Sequence, residues 1–419
     1  SPTARAAQIG GAGAVLGDDA VQAFVRDQLA GVDVDGRTVC MLIPDATRSC
    51  PLPMLLDAVH GALDGRARST VVLVALGTHA PLDPTALAWL VGAAPGGLGD
   101  RYPSFVVRNH EWADPSTFTT LGEIAAHRVA ELSGGRMREA IPVRINRAVV
   151  EADLTLVVGP VLPHEVVGFS GGNKYLFPGV SGPEMIDASH WLGALITSAD
   201  IIGTLGTTPV RALIDDAAAL VPGETLAFSV VTQPGTGRLH AVTFGDPIAS
   251  WSAAAQVSAA THVRYLDAPV RRVLSIVNER YDDLWTGAKG FYKVEPVVAD
   301  GGEVVIYAPH IREISATHPR IADIGYHCRD YFLAQPERFA DVARADLAHS
   351  THLRGAGTYD PVAGERCRVT VTLATGISEA ETRAVGLSYR DPASIDVAAW
   401  SADPDTLVVP DAGEDLYRL

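Results

Sequence analysis

Residues 38–63 read TVCMLIPDATRSCPLPMLLDAVHGAL: a short apolar run, a polar turn, and then a stretch with a helical pattern of apolar residues. Residues 70–76, TVVLVAL, form a second apolar run of the same kind. Short runs rich in β-branched residues, bounded by turns and separated by helices, are typical of parallel strands buried on both faces. The pattern therefore predicts βαβ units that share a parallel sheet.

The same alternation of strands and helices continues along the chain. It predicts further strands at 104–108, 154–159, 270–277, 302–307, 368–373 and 407–409, and helices at 183–198, 209–220, 283–300, 336–349 and 378–386. A boundary near residue 268 separates two groups of elements. We therefore expect an α/β protein with two domains, Rossmann-like parallel sheets and an active-site cleft between the domains. The first would span 1–267, which 403–419 could complete, and the second 268–402.

The composition argues against several classes of protein. The 419 residues include 33 Lys and Arg but 49 Asp and Glu, a net charge of −16, whereas a nucleic-acid surface needs clustered cations. Four separated cysteines without a CxxC pair argue against an iron–sulfur or cysteine-rich zinc site and fit a reducing compartment. No stretch approaches the roughly 18 apolar residues of a membrane span, and residues 1–17 lack the pattern of a leader. We expect a cytoplasmic protein that binds neither nucleic acid nor membranes.

The most unusual segment is 163–190, PHEVVGFSGGNKYLFPGVSGPEMIDASH, with five glycines, two histidines and one lysine. It follows a predicted strand, and open α/β sheets bind ligands beyond the carboxyl ends of their strands. Glycines there let the backbone approach a ligand or adopt positive φ. The alternative, a flexible connection, needs neither Lys174 nor two histidines. The segment matches neither a Walker A loop nor a zincin motif, and the chain has no GxGxxG after a strand.

Two earlier loops follow predicted strands and should lie at the same edge of the sheet as this segment. Residues 44–48 read PDATR, and residues 77–79 read GTH. The planar guanidinium of Arg48 suits a carboxylate or phosphate, while Asp45 can hold that arginine or orient a histidine. The alternatives are an Asp–Arg pair that caps the next helix and a purely structural His79. The meeting of three such loops favours a ligand site.

In combination these motifs resemble the lactate racemase family, whose enzymes use a nickel-pincer nucleotide. The matching segments are DATR at 45–48, GTH at 77–79, HEVVGFSGGNKYLFPG at 164–179, ASH at 188–190 and WTGAKG at 285–290. In the family, a pyridinium mononucleotide holds nickel through one carbon and two sulfurs. The resemblance implies that Lys174 carries this cofactor through a thioamide link and that His190 is the fourth nickel ligand. A square-planar soft site with one imidazole suits nickel(II).

The resemblance also implies roles for the residues of the other loops. His79 and His164 match the family's acid/base pair, and an imidazole suits that work because its pKa lies near neutral pH. Arg48 and Lys289 would bind the substrate carboxylate, and Asp45 would orient His79, His164 or Arg48.

Further cofactor contacts are expected from the glycine-rich turn and from the lysine-bearing loop. The turn residues are Ser170, Gly171 and Gly172, which would contact the cofactor's phosphate or ring through their backbone. Thr286 stands where the family often has a side-chain amide, a departure that puts the contact of that side chain in doubt. His349 and His352 lie three residues apart and could form a helical ligand pair, but the sparse acidic and thiol partners nearby favour a solvent-facing helix end.

The resemblance implies an isomerase that inverts the α-carbon of a small-molecule 2-hydroxy acid. One histidine would take the hydroxyl proton, the α-hydrogen would leave as hydride to the cofactor and return to the opposite face, and the second histidine would return the proton. Cofactor-synthesis proteins are the implied partners. Two alternatives stay open. An NAD-linked 2-hydroxy acid dehydrogenase is disfavoured by the missing GxGxxG motif, and a non-catalytic anion- or cofactor-binding protein is disfavoured by the paired histidines.

Overall fold

The computed structural model describes residues 5–419, which form two α/β units. The first unit contains the described residues up to Leu162 together with Phe169–Ile186 and Leu205–Thr261. The second contains Pro163–Gly168, Asp187–Thr204 and His262–Leu419. Residues 1–4, where the first predicted domain begins, lie outside the described residues. The division differs from one boundary near residue 268, because two short segments of the N-terminal half pack with the second unit.

The strands and helices account for most of the described chain. The strands are β1 Ala7–Gly10, β2 Thr38–Ile43, β3 Ser69–Val74, β4 Phe105–Asn109, β5 Phe118–Ile124, β6 Ile141–Asn146, β7 Leu154–Pro160, β8 Pro163–His164, β9 Gly168–Phe169, β10 Glu224–Thr232, β11 Leu239–Gly245, β12 Val263–Tyr265, β13 Val270–Val277, β14 Val298–Ala308, β15 Gly357–Asp360, β16 Gly364–Cys367, β17 Thr370–Thr375, β18 Ser388–Tyr389, β19 Thr406–Ala412 and β20 Leu416–Arg418. The helices are α1 Asp18–Ala30, α2 Leu52–Leu63, α3 Pro84–Leu90, α4 Leu98–Arg101, α5 Ala126–Leu132, α6 Arg147–Val150, α7 Pro183–Ile196, α8 Ser198–Ile201, α9 Pro209–Ala218, α10 Pro247–His262, α11 Leu284–Gly287, α12 Lys289–Tyr292, α13 Arg320–Ile324, α14 Arg329–Leu333, α15 Arg344–Arg354, α16 Glu379–Ala384 and α17 Val397–Ala402. Among residues 5–419, no helix has the length and apolar character needed to cross a membrane.

The first unit is built on a seven-stranded sheet with the order β1-β11-β10-β7-β2-β3-β4. The strands from β10 to β4 are parallel, and β11 and β1 add antiparallel neighbours at the other edge. All seven residues of β7 are buried, as expected of a parallel strand covered on both faces. Because β2 and β3 are adjacent and parallel, the turns that follow them emerge at the same edge of the sheet.

The second unit has a five-stranded, fully parallel sheet with the order β18-β17-β14-β13-β19. The predicted fold class, α/β with parallel sheets, is therefore confirmed. Strand β19 pairs with β13, so residues 403–419 belong to the second unit and do not complete the first. The cleft between domains stays a prediction.

The predicted helix at 283–300 is wrong. This stretch contains two four-residue helices, α11 and α12, then a short 3-10 turn and the start of β14. Pro296 and the valines around it disfavour a continuous helix. A glycine is required at Gly290, since a Cβ there would lie 2.8 Å from Val277 Cγ2. The predicted helix at 336–349 also differs, because the long helix α15 begins only at Arg344.

Candidate functional site

An aspartate–histidine pair lies at the edge of the first sheet, where the turns after β2 and β3 meet. His79 Nδ1 lies 2.5 Å from Asp45 Oδ2, and the Thr47 backbone N–H and hydroxyl donate to Oδ1 at 3.0 and 2.6 Å. Burial raises the pKa of Asp45, but His79, Thr47 and Arg48 together hold that pKa well below its usual range. The carboxylate therefore accepts the Nδ1–H of His79 and leaves Nε2 as the proton acceptor of the neutral ring. Of the three partners expected for Asp45, His79 is in direct hydrogen-bond contact with it.

The backbone of His79 is also fixed. Its N–H donates to the Leu76 carbonyl, and its carbonyl accepts the indole N–H of Trp112, each at 2.8 Å. The ring is nevertheless 31% exposed, so a ligand can reach it. Trp112 is a positioning residue that the sequence analysis missed, because nothing local to residue 112 marks its partner.

The glycine-rich turn lies in the first unit and packs tightly against it. Gly171 and Gly172 both have positive φ, and a Cβ at these positions would lie 2.6 Å from Val161 and 2.8 Å from Trp251. The Ser170 hydroxyl accepts the backbone N–H of Leu162 at 3.1 Å. The glycines and Ser170 therefore have packing roles of their own, and their predicted contacts to a cofactor stay predictions.

Replacing Gly171 with alanine should destabilise the first unit through both strain and overlap. Gly206 offers a matched control, because its φ of +84° resembles the +89° of Gly171 but a Cβ there would meet nothing within 4 Å. We expect Gly206→Ala to cost about 1–3 kcal/mol for backbone strain and Gly171→Ala about 1–3 kcal/mol more for overpacking. Thermal and urea unfolding measure both, and equal losses would contradict the packing role.

The buried side chain of Arg211 holds the backbone of the glycine-rich turn through hydrogen bonds. Arg211 on α9 donates to the carbonyls of Gly171 and Phe169 at 2.9 and 2.5 Å, and its guanidinium lies 4.2 Å from the centre of the Trp251 ring. Burial lowers the pKa of Arg211 to about 10, so it remains a cation at neutral pH. Lys174 lies on the adjoining 3-10 turn and is half-buried. The amine is thus carried by a segment with a fixed backbone.

In the second unit, His164 has the opposite tautomer to His79. The Val166 backbone N–H donates to its Nδ1 at 3.1 Å, so the neutral ring carries its proton on Nε2. The Glu165 carboxylate lies 3.4 Å from the same Nδ1 and would stabilise the ring once it gains a second proton. His164 is buried.

Glu165 is itself held as a carboxylate by basic side chains of the second unit. Burial raises the pKa of Glu165, but His352, Lys289 and Lys293 lower it below its usual value. Lys293, only 1% exposed, donates to the carbonyls of Pro163 and Glu414. This buried lysine therefore fixes the segment that carries His164.

The lysine-bearing loop forms the short helices α11 and α12. Lys289 is buried at the start of α12, and its Nζ lies 5.0 Å from the centre of the Tyr281 ring. The Thr286 hydroxyl lies 2.8 Å from Asp283 Oδ1, which also accepts the Thr286 backbone N–H at 2.9 Å and caps α11. The Thr286 side chain is thus engaged in a helix cap, and its predicted contact to a cofactor stays a prediction.

The predicted solvent exposure of His349 and His352 is wrong, since they are 7% and 3% exposed. The Trp285 ring stacks against the rings of His318 and His349, and its centre lies 3.8 Å from the first and 3.7 Å from the second. Burial lowers the pKa of both His349 and His352, and His190 and Lys289 add to the effect on His349. His349 Nε2 and both ring nitrogens of His352 have no hydrogen-bond partner among the described residues. Neutral imidazoles with unsatisfied nitrogens near two predicted site residues indicate a ligand-binding region.

His190, the predicted nickel ligand, lies on α7 in the second unit. It is half-buried, and the Ser189 hydroxyl lies 3.4 Å from its Nδ1. The electrostatic effect of His190 on His349 places it near the histidines described above. Its role as a ligand stays a prediction.

Sequence comparison connects these features to known proteins. Residues 20–201 match the family model described as the lactate racemase N-terminal domain. Lactate racemases from Thermoanaerobacterium thermosaccharolyticum and Lactiplantibacillus plantarum are each 28% identical, over 37% and 42% of this chain. These alignments cover 32% and 35% of the two enzymes, so the chain spans about a third of the length of the curated relatives it matches.

Two solved structures resemble the whole chain. A structural-genomics crystal structure from Thermotoga maritima superposes with a TM-score of 0.89 at 29% identity and covers 98% of this chain and 100% of its own. The lactate racemase apoprotein from T. thermosaccharolyticum has a TM-score of 0.70 at 17% identity, covering 99% of this chain and 100% of its own. The second likeness establishes the fold.

Proposed function

Because this chain belongs to the lactate racemase family, we propose that it is an isomerase that racemises or epimerises a 2-hydroxy acid. The observation that carries the proposal is the pair of opposite tautomers. Asp45 accepts the Nδ1–H of His79, whereas the Nδ1 of His164 accepts a backbone N–H. Nε2 of neutral His79 is thus a proton acceptor, whereas Nε2 of His164 carries a proton that the ring can give up once it is doubly protonated, and inversion of a hydroxy acid needs one acceptor and one donor.

The residues present fit the nickel-pincer nucleotide of the family in their donor chemistry. Lys174 offers a primary amine on a supported turn, and His190 offers an imidazole that acts electrostatically on His349, whose Nε2 is unsatisfied. We propose that Lys174 holds the cofactor through a thioamide link and that His190 ligates its nickel. When bound, the cofactor supplies a carbon that takes up the α-hydrogen as hydride and returns it.

The protein's own groups would bind the substrate and move its hydroxyl proton. Arg48 and the buried Lys289 supply two cations for the substrate carboxylate. His79 accepts the hydroxyl proton at Nε2, and Asp45 stabilises the imidazolium that forms, as a carboxylate does in a catalytic triad. His164, in its doubly protonated form, would give its Nε2 proton to the hydroxyl oxygen of the opposite enantiomer and become neutral, and in the reverse direction the two histidines exchange roles. Glu165 Oε2 lies 3.4 Å from His164 Nδ1 and would balance the charge of the doubly protonated ring, whereas Asp45 already accepts the Nδ1–H of neutral His79.

The proposal is tested by loading the protein in the cytoplasm of cells that also produce the cofactor-synthesis proteins, its proposed partners. We expect one nickel per chain and an added covalent mass, both lost in Lys174→Ala. A panel of 2-hydroxy acids is then assayed by chiral chromatography for loss of enantiomeric purity. A family member loaded in parallel is the positive control.

Three outcomes would contradict the proposal. A folded protein with neither nickel nor added mass, beside an active control, would remove the cofactor assignment. Oxidation of a 2-hydroxy acid that depends on added NAD would favour a dehydrogenase. A loaded protein that inverts no acid in the panel would favour a binding protein.

A further inference from the structure

Two thiols and a carboxylate with no role in the proposed reaction meet in the second unit. Cys328 precedes α14, while Glu365 and Cys367 lie on β16. The two Sγ atoms and a Glu365 oxygen all lie within 4.8 Å of one another. Within residues 5–419, no other group of three histidine, cysteine, aspartate or glutamate side chains has such spacing. The cluster has the composition of a metal-binding site.

The local fold explains why these side chains converge. Glu365 and Cys367 are two residues apart on a strand, so their side chains share one face. Gly357 on β15 pairs with Cys367, and a Cβ on this glycine would lie 3.1 Å from Cys328 Cβ. The missing side chain lets Cys328 approach the hairpin, where its N–H donates to Glu365 Oε2 at 3.2 Å.

The spacing of the ligand atoms suits a tetrahedral zinc ion. Cys367 Sγ and Glu365 Oε1 lie 3.7 Å apart. Bond lengths of about 2.3 Å to sulfur and about 2.0–2.2 Å to a carboxylate oxygen would place two tetrahedral ligands about 3.5–3.7 Å apart. Cys367 and Glu365 thus already have the spacing of two zinc ligands, and Cys328 Sγ lies within 4.8 Å of both.

The surroundings supply charge balance and outer contacts. Two thiolates and one carboxylate carry three negative charges, and the Arg354 Nε lies 3.1 Å from both Cys367 Sγ and Glu365 Oε1. A zinc ion with Arg354 would bring the total charge to zero. His327 Nδ1 lies 3.1 Å from Glu365 Oε2, and its ring stacks on Tyr331. Such outer contacts orient metal ligands in known sites.

We propose that Cys328, Cys367 and Glu365 bind zinc(II), with water as the fourth ligand. A cavity of about 350 Å³ is lined in part by Arg354, Cys367 and Arg383, so the Cys367 side of the cluster faces open space. The ion would tie the β15–β16 hairpin to the start of α14. Binding releases the thiol protons and stabilises the folded unit by mass action.

The test uses the full chain, produced without the cofactor-synthesis proteins, reduced and stripped of metal with a chelator. We expect it to bind one zinc ion through this cluster and to gain about 5–10 °C in Tm when free zinc is about 100-fold above Kd. Cys328→Ser and Cys367→Ser should abolish both effects, whereas Cys50→Ser, which removes a thiol outside the cluster, should keep them. His327→Phe should weaken zinc binding by about 10- to 100-fold.

Cobalt(II) provides a readout that does not depend on the folding of any variant. Thiolate-to-cobalt charge transfer in the wild-type spectrum would establish cysteine ligands, and its absence in a folded chain would overturn the proposal. Zinc retained by a folded Cys328→Ser variant would overturn it as well. Recovery of a chain lighter by two hydrogens, with a Cys328–Cys367 disulfide and no zinc uptake after reduction, would assign the pair to thiol oxidation instead. None of these results bears on the racemase proposal, because the pincer cofactor is absent throughout.

Discussion

Replacing Asp45 with asparagine should lower kcat of the loaded enzyme by about 10³- to 10⁴-fold, as loss of the orienting aspartate does in a catalytic triad. The carboxylate accepts the Nδ1–H of His79 at 2.5 Å, and an amide can donate to that nitrogen instead. His79 would then carry its proton on Nε2 and could no longer accept one. Asparagine has nearly the same shape as aspartate. A loss of activity would therefore reflect the changed tautomer of His79 and not a cavity left by a smaller side chain. Racemisation rates with each enantiomer as the starting material give the measurement.

Thr47→Val is the matched control, because it removes one hydrogen bond to Asp45 Oδ1 and leaves the contact to His79 in place. We expect this variant to stay within about tenfold of the wild type, the scale of one lost hydrogen bond of up to about 1.5 kcal/mol. A comparable loss in both variants would show that Asp45 acts by shaping the turn, and undiminished activity in Asp45→Asn would remove it from the mechanism.

The pH dependence of stability gives a readout that needs no cofactor. The pKa of Asp45 is lower in the folded chain than in the unfolded chain. Its contribution to stability is therefore present above the unfolded value of about 4 and is lost as pH falls through the folded value. The stability difference between the wild type and Asp45→Asn should shrink below about pH 4, and a difference that grows there would contradict the assigned charge.

The group of predicted site residues in the first unit was accessible from sequence because its geometry follows from simple rules of parallel sheets. Two apolar runs separated by a helix predict neighbouring parallel strands, and the turns after such strands emerge at one edge. Asp45 and His79 lie in those turns, so their meeting was predictable. Which of three partners Asp45 would take was not, since that choice depends on the conformation of a five-residue turn.

The features of the second unit depended on contacts between residues far apart in sequence, which local patterns do not encode. Helix α15, RADLAHSTHLR, is polar enough to suggest a solvent-facing position, yet it packs against α12, α13 and α14 and is buried from Ala345 to Leu353. Its histidines are therefore core residues beside Lys289. The cysteines were equally uninformative, because 38 residues separate Cys328 from Cys367 and only the hairpin that contains Gly357 brings them together. Metal-binding patterns based on CxxC spacing cannot detect such a pair.

Replacing either catalytic histidine with asparagine should lower racemisation by about 10²- to 10⁴-fold, the usual contribution of general acid–base catalysis. The two variants should differ in which enantiomer they can still oxidise to the 2-keto acid. Each histidine is assigned to the hydroxyl of one enantiomer. His164 accepts at Nε2 when its ring proton is held on Nδ1 beside Glu165, so His79→Asn would still oxidise the enantiomer served by His164. The reverse would hold for His164→Asn.

Acid quenching after a single turnover measures this directly as bound 2-keto acid. We expect His79→Asn to yield keto acid from one enantiomer and His164→Asn from the other, while the wild type yields it from both. Lys174→Ala, which should hold no cofactor, is the blank. Keto acid from the same enantiomer in both variants would mean that a single histidine does all the proton transfer, and the opposite tautomers of His79 and His164 would then have another cause. Keto acid from opposite enantiomers in the two variants would assign each imidazole to one enantiomer of the substrate. This assignment does not require that the side chain of the substrate be known.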